Sequence, residues 1–244
     1  MSLPLTTHLT SLSTPRPYSA ATEHAFLTAA GTGTLPPALL SLYLSQDRIY
    51  AAHAYPRFLG HLLTHVPFSS RHAPDSPEER LHGEIVDVLA GALQNVRREV
   101  GLFAEVERAH SLPPFAQWRE RKATRDYTAE MARVCVFGTL EDGLVFLWAM
   151  ERVYLDAWTY VKSLLPTAAT EAGPALPAIR QLVENWTCPA FVEFVEVLEG
   201  LVNRLNIVPG SPAYFCAEEI WVRVLELEEA FWPVGGEEME EHLL

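Results

Sequence analysis

Three carboxylates stand where an apolar residue is expected. In Pro37–Tyr55 the residues at helical spacing are Leu40, Tyr43, Leu44, Tyr50, Ala51 and Ala54, and Asp47 falls among them. In VFLWAMERVYLDAW (Val145–Trp158) the stripe is Leu144, Leu147, Trp148, Tyr154, Leu155 and Trp158, and Glu151 interrupts it. In Ser211–Trp232 the stripe is Trp221, Val224, Leu225, Phe231 and Trp232, interrupted by Glu228. A carboxylate taken into an apolar interior is costly unless something partners it. Each of these acids is followed three residues later by an aromatic: Asp47–Tyr50, Glu151–Tyr154, Glu228–Phe231. That spacing sets ring and carboxylate side by side on a helix.

If the three helices converge, acids and rings line one pocket. Burial would then raise at least one pKa and give a group able to move protons near neutral pH. The matching ligand is a flat, nitrogen-bearing heteroaromatic that donates hydrogen bonds or carries positive charge. Glu99, on the edge of its stripe in VRREVGLF, is a fourth candidate, and Tyr127 in ATRDYTAEM could add a hydroxyl. The plainer reading of any one acid is a stripe-edge residue tied to an Arg or a backbone N–H, and of Tyr127 an ordinary half-buried tyrosine. Arg48 and Arg152 follow Asp47 and Glu151 directly, about 100° around the helix, and are expected to face solvent.

Other chemistries find less support. A helical carboxylate pair for two metals wants Glu-x-x-His on paired helices, and none accompanies Asp47, Glu151 or Glu228. His61 and His65 are four apart without an HExxH around them and read as an exposed pair; His24 reads as a core or capping residue rather than a haem ligand. GxSxG, the P-loop and GxGxxG are absent. Neither metal nor cofactor is expected. Cys135, Cys188 and Cys216 are odd in number and far apart, which disfavours a disulfide framework or zinc site and fits a reducing compartment.

The elements that must position these acids are helices. Nearly every long segment repeats near 3.6 residues and strand alternation is absent. Helices are expected over Ala20–Ala30, Pro37–Tyr55 (ended by Pro56), Arg57–Val66, SPEER (Ser76–Arg80) to Ala109, Thr124–Phe137, Leu140–Leu165, Pro177–Trp186, Pro189–Leu205 and Ser211–Trp232. PPFAQWRERK and LLPTAATEAGPALP read as loops. No flexible linker divides the 244 residues, of which 49% are hydrophobic. The chain therefore reads as one all-α, single-domain helical bundle over residues 1–244, with an N-terminal extension (1–17) and a frayed acidic tail (235–244) at its periphery. A formal charge of −13 argues against nucleic acid or an anionic membrane as the main partner, and no apolar run reaches the roughly 18 residues that would span a bilayer. The Ser/Thr-rich, acid-poor start has a trace of transit-peptide composition, but its first basic residue is Arg16. A cytoplasmic protein is expected.

The segments YSAATEHAF (Tyr18–Phe26), LSQDRIYA (Leu44–Ala51), the Tyr127 stretch, FLWAMERVY (Phe146–Tyr154) and RVLELEEAFW (Arg223–Trp232) occur in an order that resembles the TenA (thiaminase II) family, with its haem-oxygenase-like all-α fold. The resemblance runs over nearly the whole chain; QD near its start and ExxFW near its end are its most specific parts. It implies salvage of thiamine breakdown products, with an amino group hydrolysed from aminomethylpyrimidine to give hydroxymethylpyrimidine. It implies a pyrimidine-binding role for Asp47, a catalytic role for Glu228, active-site roles for Tyr127 and Tyr154, and assembly into homo-oligomers, dimers or tetramers. A further family tyrosine has no counterpart in ENWTCPAF, which carries Trp186. The family's catalytic Cys lies four residues before the tyrosine matched by Tyr154, and that position here is Met150, with Glu151 beside it. This is similar to the Glu-type branch, TenA_E, which removes formyl and then amino groups from formylaminopyrimidine and aminopyrimidine.

Glu151, Glu228 and Tyr154 are therefore the expected catalytic residues, and Asp47, Tyr127, Tyr50 and Glu99 the expected substrate-binding ones. A thiolate adds readily to an electron-poor ring, whereas a carboxylate is better suited to activating water or protonating an amine. Two rival readings are a non-catalytic protein holding a pyrimidine or thiamine-like ligand and a metal-dependent oxidase on the same fold.

Overall fold

The structure, a computed structural model, describes residues 3–114, 118–166 and 173–239. Parts of the two expected loops (115–117 and 167–172) and the last five residues of the expected tail lie outside the described residues. Among the described residues there are helices and turns and no strand. In chain order the helices are α1 (Leu5–Thr10), α2 (Ser19–Thr22), α3 (Ala25–Gly31), α4 (Pro37–Ile49), a π-helical turn (Tyr50–Ala54), α5 (Tyr55–Thr64), α6 (Pro77–Ala109), α7 (Lys122–Phe137), α8 (Leu140–Leu164), α9 (Leu176–Trp186), α10 (Pro189–Arg204) and α11 (Pro212–Phe231). A short 3-10 turn follows at Glu237–Met239.

The start signals explain where the longest helices begin. Ser76 caps α6 by accepting from Glu79 N (3.2 Å), with Pro77 in the first turn. At α8 a reciprocal pair does this: Asp142 N donates to Thr139 Oγ1 (3.2 Å), and Thr139 N to Asp142 Oδ2 (2.9 Å). Ser211 caps α11 through Tyr214 N.

Helix α8 is the axis of the bundle. It packs against α2, α3, α9, α10 and α11, and every residue from Leu144 to Met150 is buried. The single stripe expected for this segment is thus too narrow, because a helix surrounded by others is apolar all round. Where α3 crosses α8, Gly31 permits the contact: a Cβ there would stand 2.6 Å from Leu164 Cβ and 2.9 Å from the Val161 carbonyl oxygen. The carbonyl belongs to a helix and cannot give way. Gly31→Ala is expected to destabilise the fold by about 1–3 kcal/mol through overpacking, read as a lower urea midpoint.

Four boundaries differ from expectation. The helix expected over Ala20–Ala30 divides at Glu23–His24, where His24 Nδ1 accepts from Phe26 N (3.2 Å) and caps α3, so the capping reading of this histidine is the one observed. Pro56 does not end its helix. It sits in the first turn of α5, directly after the π turn. A proline ring clashes with the carbonyl four residues back; the wider i→i+5 turn removes that demand and the helix runs on. Finally, the N-terminal stretch is not all peripheral. Leu5, Thr6 and Leu9 are buried, and Thr6 N donates to Asn203 Oδ1 (3.1 Å). A helix this short is hard to read in Ser/Thr-rich text. Nor is the tail frayed at Glu237, whose carboxylate takes two hydrogen bonds from Arg121 (2.6 and 2.9 Å).

No described helix is long and apolar enough to cross a membrane.

Candidate active site

Four helices deliver one carboxylate each to a cavity of about 50 Å³: Asp47 from α4, Glu99 from α6, Glu151 from α8 and Glu228 from α11. Tyr50, Tyr127 and Tyr154 also line it, so the seven residues singled out from the sequence meet at one place. None of the described lining residues is Arg, Lys or His.

Asp47 is held in place by its neighbour in the QD pair. Gln46 is fully buried, donates to the Arg119 carbonyl (2.8 Å), and accepts from Arg121 N and Thr124 Oγ1 (both 2.8 Å). This pins α4 to the start of α7 and fixes the turn from which Asp47 projects.

Each acid has an aromatic donor, but not the one expected three residues along its own helix. Asp47 Oδ2 lies within hydrogen-bonding distance of Tyr154 OH (2.8 Å) and Tyr43 OH (3.2 Å), and the two hydroxyls contact each other; with one hydrogen apiece, Tyr154 donates to Asp47 and Tyr43 donates either to Asp47 or to Tyr154. Glu151 accepts from Tyr55 OH. Glu228 accepts from Tyr127 OH (2.6 Å). Glu99 accepts from the Trp186 indole N–H. Tyr154 therefore serves Asp47 rather than Glu151, and Phe231 supplies a wall rather than a partner for Glu228. Arg48 is exposed as expected, whereas Arg152 is half-buried in a fork with Asp156 (2.9 and 3.0 Å).

Tyr43, Tyr55 and Trp186 were not expected as site residues. In the sequence they look like core aromatics on apolar stripes, and their polar ends find partners only across the bundle. The π turn is what recruits Tyr55. Eight residues after Asp47, at 3.6 residues per turn, a side chain would point about 80° away. One surplus residue in the turn brings it back. Tyr50 and Tyr55 then stack at 5.7 Å between ring centroids, with Tyr127 edge-on to Tyr50 at 5.1 Å. π turns of this kind occur often at functional sites.

Burial without counter-charge governs the electrostatics. Asp47 is pushed up to about 8, first by burial and then by the Glu99 charge, against the hydrogen bonds from Tyr154 and Tyr43. Glu151 is likewise raised to about 8 by burial, with the Tyr55 bond opposing and Glu99 and Asp47 adding. Glu228 reaches about 8 by burial, opposed by Tyr127 and assisted by Asp47 and Glu151. Burial also raises Glu99, against the Trp186 bond and the Arg98 charge. Glu151 is only half-buried by exposed surface because it borders the cavity. The site thus offers several carboxyl groups that exchange protons near neutral pH, flat aromatic walls, and a deficit of positive charge.

Met150, where the resemblance implies a Cys, also lines the cavity, and its sulfur accepts from Tyr50 OH (3.0 Å). His61 and His65 stack on each other at 4.1 Å, away from the site. Among the described residues no group of three or more His, Cys, Asp or Glu side chains is arranged to hold a metal ion.

The sequence pattern of the TENA/THI-4/PQQC family matches residues 15–238. A Glycine max protein named "Probable bifunctional TENA-E protein" is 20% identical over 225 residues, 88% of this chain and 86% of that protein. A "Probable transcription factor" of Fusarium pseudograminearum is 24% identical over 217 residues, 76% of this chain; the match spans only 42% of that relative's length. Among solved structures, a TenA homologue from Pyrococcus furiosus superposes with a TM-score of 0.74 at 17% identity, covering 93% of this chain and 98% of the other. A protein from a Silicibacter species, described as a TenA family transcription regulator, gives 0.75 at 19% identity, covering 95% and 97%. At these identities the structural likeness establishes the fold.

Proposed function

The chain belongs to the TENA/THI-4/PQQC family, and from that premise we propose that it is a pyrimidine hydrolase of thiamine salvage. Its substrate is an aminomethylpyrimidine or the N-formyl derivative, and its product hydroxymethylpyrimidine. One observation carries this reading: four carboxylates, Asp47 and Glu228 buried and Glu99 and Glu151 half-buried, converge with no cation among the described residues lining the cavity. A ligand bearing an exocyclic amine, a ring nitrogen and a protonated side-chain amine supplies the missing donors and charge, and the aromatic side chains of Tyr50, Tyr127 and Phe231 in the cavity lining offer apolar contact to a flat ring.

In the proposed reaction Asp47, steadied by Tyr154 and Tyr43, accepts from the aminopyrimidine edge. Glu151, oriented by Tyr55, takes a proton from water. The water oxygen bonds to the exocyclic carbon as the carbon–nitrogen bond breaks. Glu228, held by Tyr127, keeps the side-chain nitrogen in its protonated form, in which it leaves as ammonia. Met150 has no ionisable thiol with which to add to the ring, which favours this water route over covalent addition. The TENA-E name of the Glycine max relative supports the same branch.

A panel of thiamine, formylaminopyrimidine and aminopyrimidine, read by product mass and ammonia release, tests the reading. The expected result is hydroxymethylpyrimidine and ammonia from aminopyrimidine, with thiamine the poorest substrate. Tight aminopyrimidine binding without product would instead mark a non-catalytic binding protein.

A further inference from the structure

We propose that Asn95 is a specificity-determining residue, and that its side-chain amide binds the carbonyl oxygen of an N-acyl group on the substrate's leaving nitrogen. This deepens the hydrolase reading and rests on it. A second hollow of about 210 Å³, lined from α6 and the start of α10, adjoins the carboxylate-lined cavity, and the two share Ala92, Asn95, Phe191 and Phe194. Inside, the lining offers acceptors, and the donors of Tyr50, Tyr55, Tyr127, Tyr154 and Trp186 are all engaged.

Asn95 is different. Its Oδ1 accepts from Arg98 Nη2 (2.8 Å), and Arg98 is itself anchored by Nη1 to Asn185 Oδ1 (3.0 Å). A guanidinium can only donate, so the amide oxygen must face Arg98 and the NH2 must face away from it. No described residue accepts a hydrogen bond from that NH2. Phe191 and Phe194 line both hollows beside Asn95 and give a ligand there apolar contact.

An unengaged donor in the lining of an acceptor-rich cavity asks for an acceptor on the ligand. A protonated amine has none. A carboxylate or phosphate would meet four acids inside. A neutral amide satisfies both ends: its carbonyl takes the Asn95 N–H, and its own N–H points to a carboxylate. Acyl removal then balances simply. Water oxygen bonds to the acyl carbon, the carbon–nitrogen bond breaks, and nitrogen takes the proton. The acyl group leaves as a carboxylic acid and the amine remains for the next hydrolysis.

The test compares kcat/KM for the N-formyl and free-amine pyrimidines in the wild type, Asn95→Asp and Asn95→Ala. Asn95→Asp keeps the shape and the contact with Arg98 but can no longer donate. The ratio of N-formyl to free-amine kcat/KM is expected to fall at least tenfold in Asn95→Asp, and to fall also in Asn95→Ala. An unchanged ratio overturns the proposal. A wild type that releases ammonia from the free amine but leaves the N-formyl compound intact overturns it while sparing the hydrolase reading. A wild type that turns over neither overturns both.

Discussion

Glu151→Gln is expected to lower kcat for aminopyrimidine hydrolysis by about 10²–10³-fold in a protein that remains folded, within the range for loss of a positioned acid–base group. Glutamine keeps the size of the side chain and an oxygen to accept from Tyr55 OH, so the donor left behind is not orphaned. It removes the proton exchange. It also removes a charge that repels Glu99 and Asp47 across the cavity, so melting temperature at pH 8 should hold or rise. Steady-state kinetics beside a thermal melt separates the two quantities. Full activity in folded Glu151→Gln would move the proton transfer to another acid, with Glu228 the first alternative.

Thermal stability of the ligand-free protein is expected to fall by about 10 °C between pH 5 and pH 8.5. In the unfolded chain Asp and Glu titrate near pH 4. In the folded chain Asp47, Glu151 and Glu228 hold their protons up to about pH 8. Between those limits the folded state binds more protons than the unfolded one, so raising the pH favours unfolding. The stability these groups lend is present below pH 4, is lost as pH climbs to about 8, and changes little beyond. For a chain of this size about 1 kcal/mol moves the melting temperature by roughly 2–4 °C, so a few kcal/mol shared among the three gives the stated fall. Calorimetric scans across the window test it, and a double Glu151→Gln, Glu228→Gln variant should flatten the slope. A melting temperature that rises through the window would contradict the burial of these groups as acids.

Much of this was legible in the sequence, for identifiable reasons. The capping signal at Ser76–Glu79 places the start of α6, and apolar periodicity gives α7 to α11 within two residues at either end. The acids at 47, 151 and 228 break stripes, so they announce themselves, and their convergence follows because broken stripes in one bundle share one interior. The hydroxyl and indole donors do not announce themselves. Tyr43, Tyr55 and Trp186 suit an apolar stripe as well as leucine would, and they become donors through partners on other helices. The pairing of Tyr154 with Asp47 rather than Glu151 is likewise a fact of tertiary geometry. The turn at Tyr50–Ala54 escapes because a π turn has no composition of its own; only Pro56, four residues past a helical carbonyl that would clash with it, hints at one.

That turn sets a phase. Downstream of it, α5 is rotated by one residue relative to a continuous helix, and in that setting Phe58, Leu59 and Leu62 point into the core while Tyr55 reaches Glu151. The geometry of the pocket and the packing of α5 are therefore locked to a single angle. A one-residue deletion within Tyr50–Ala54 would not loosen the site in isolation; it would swing three core side chains off their seats at the same time. A change of residue identity in this stretch leaves that angle alone, whereas a change of length acts on the pocket and the bundle together.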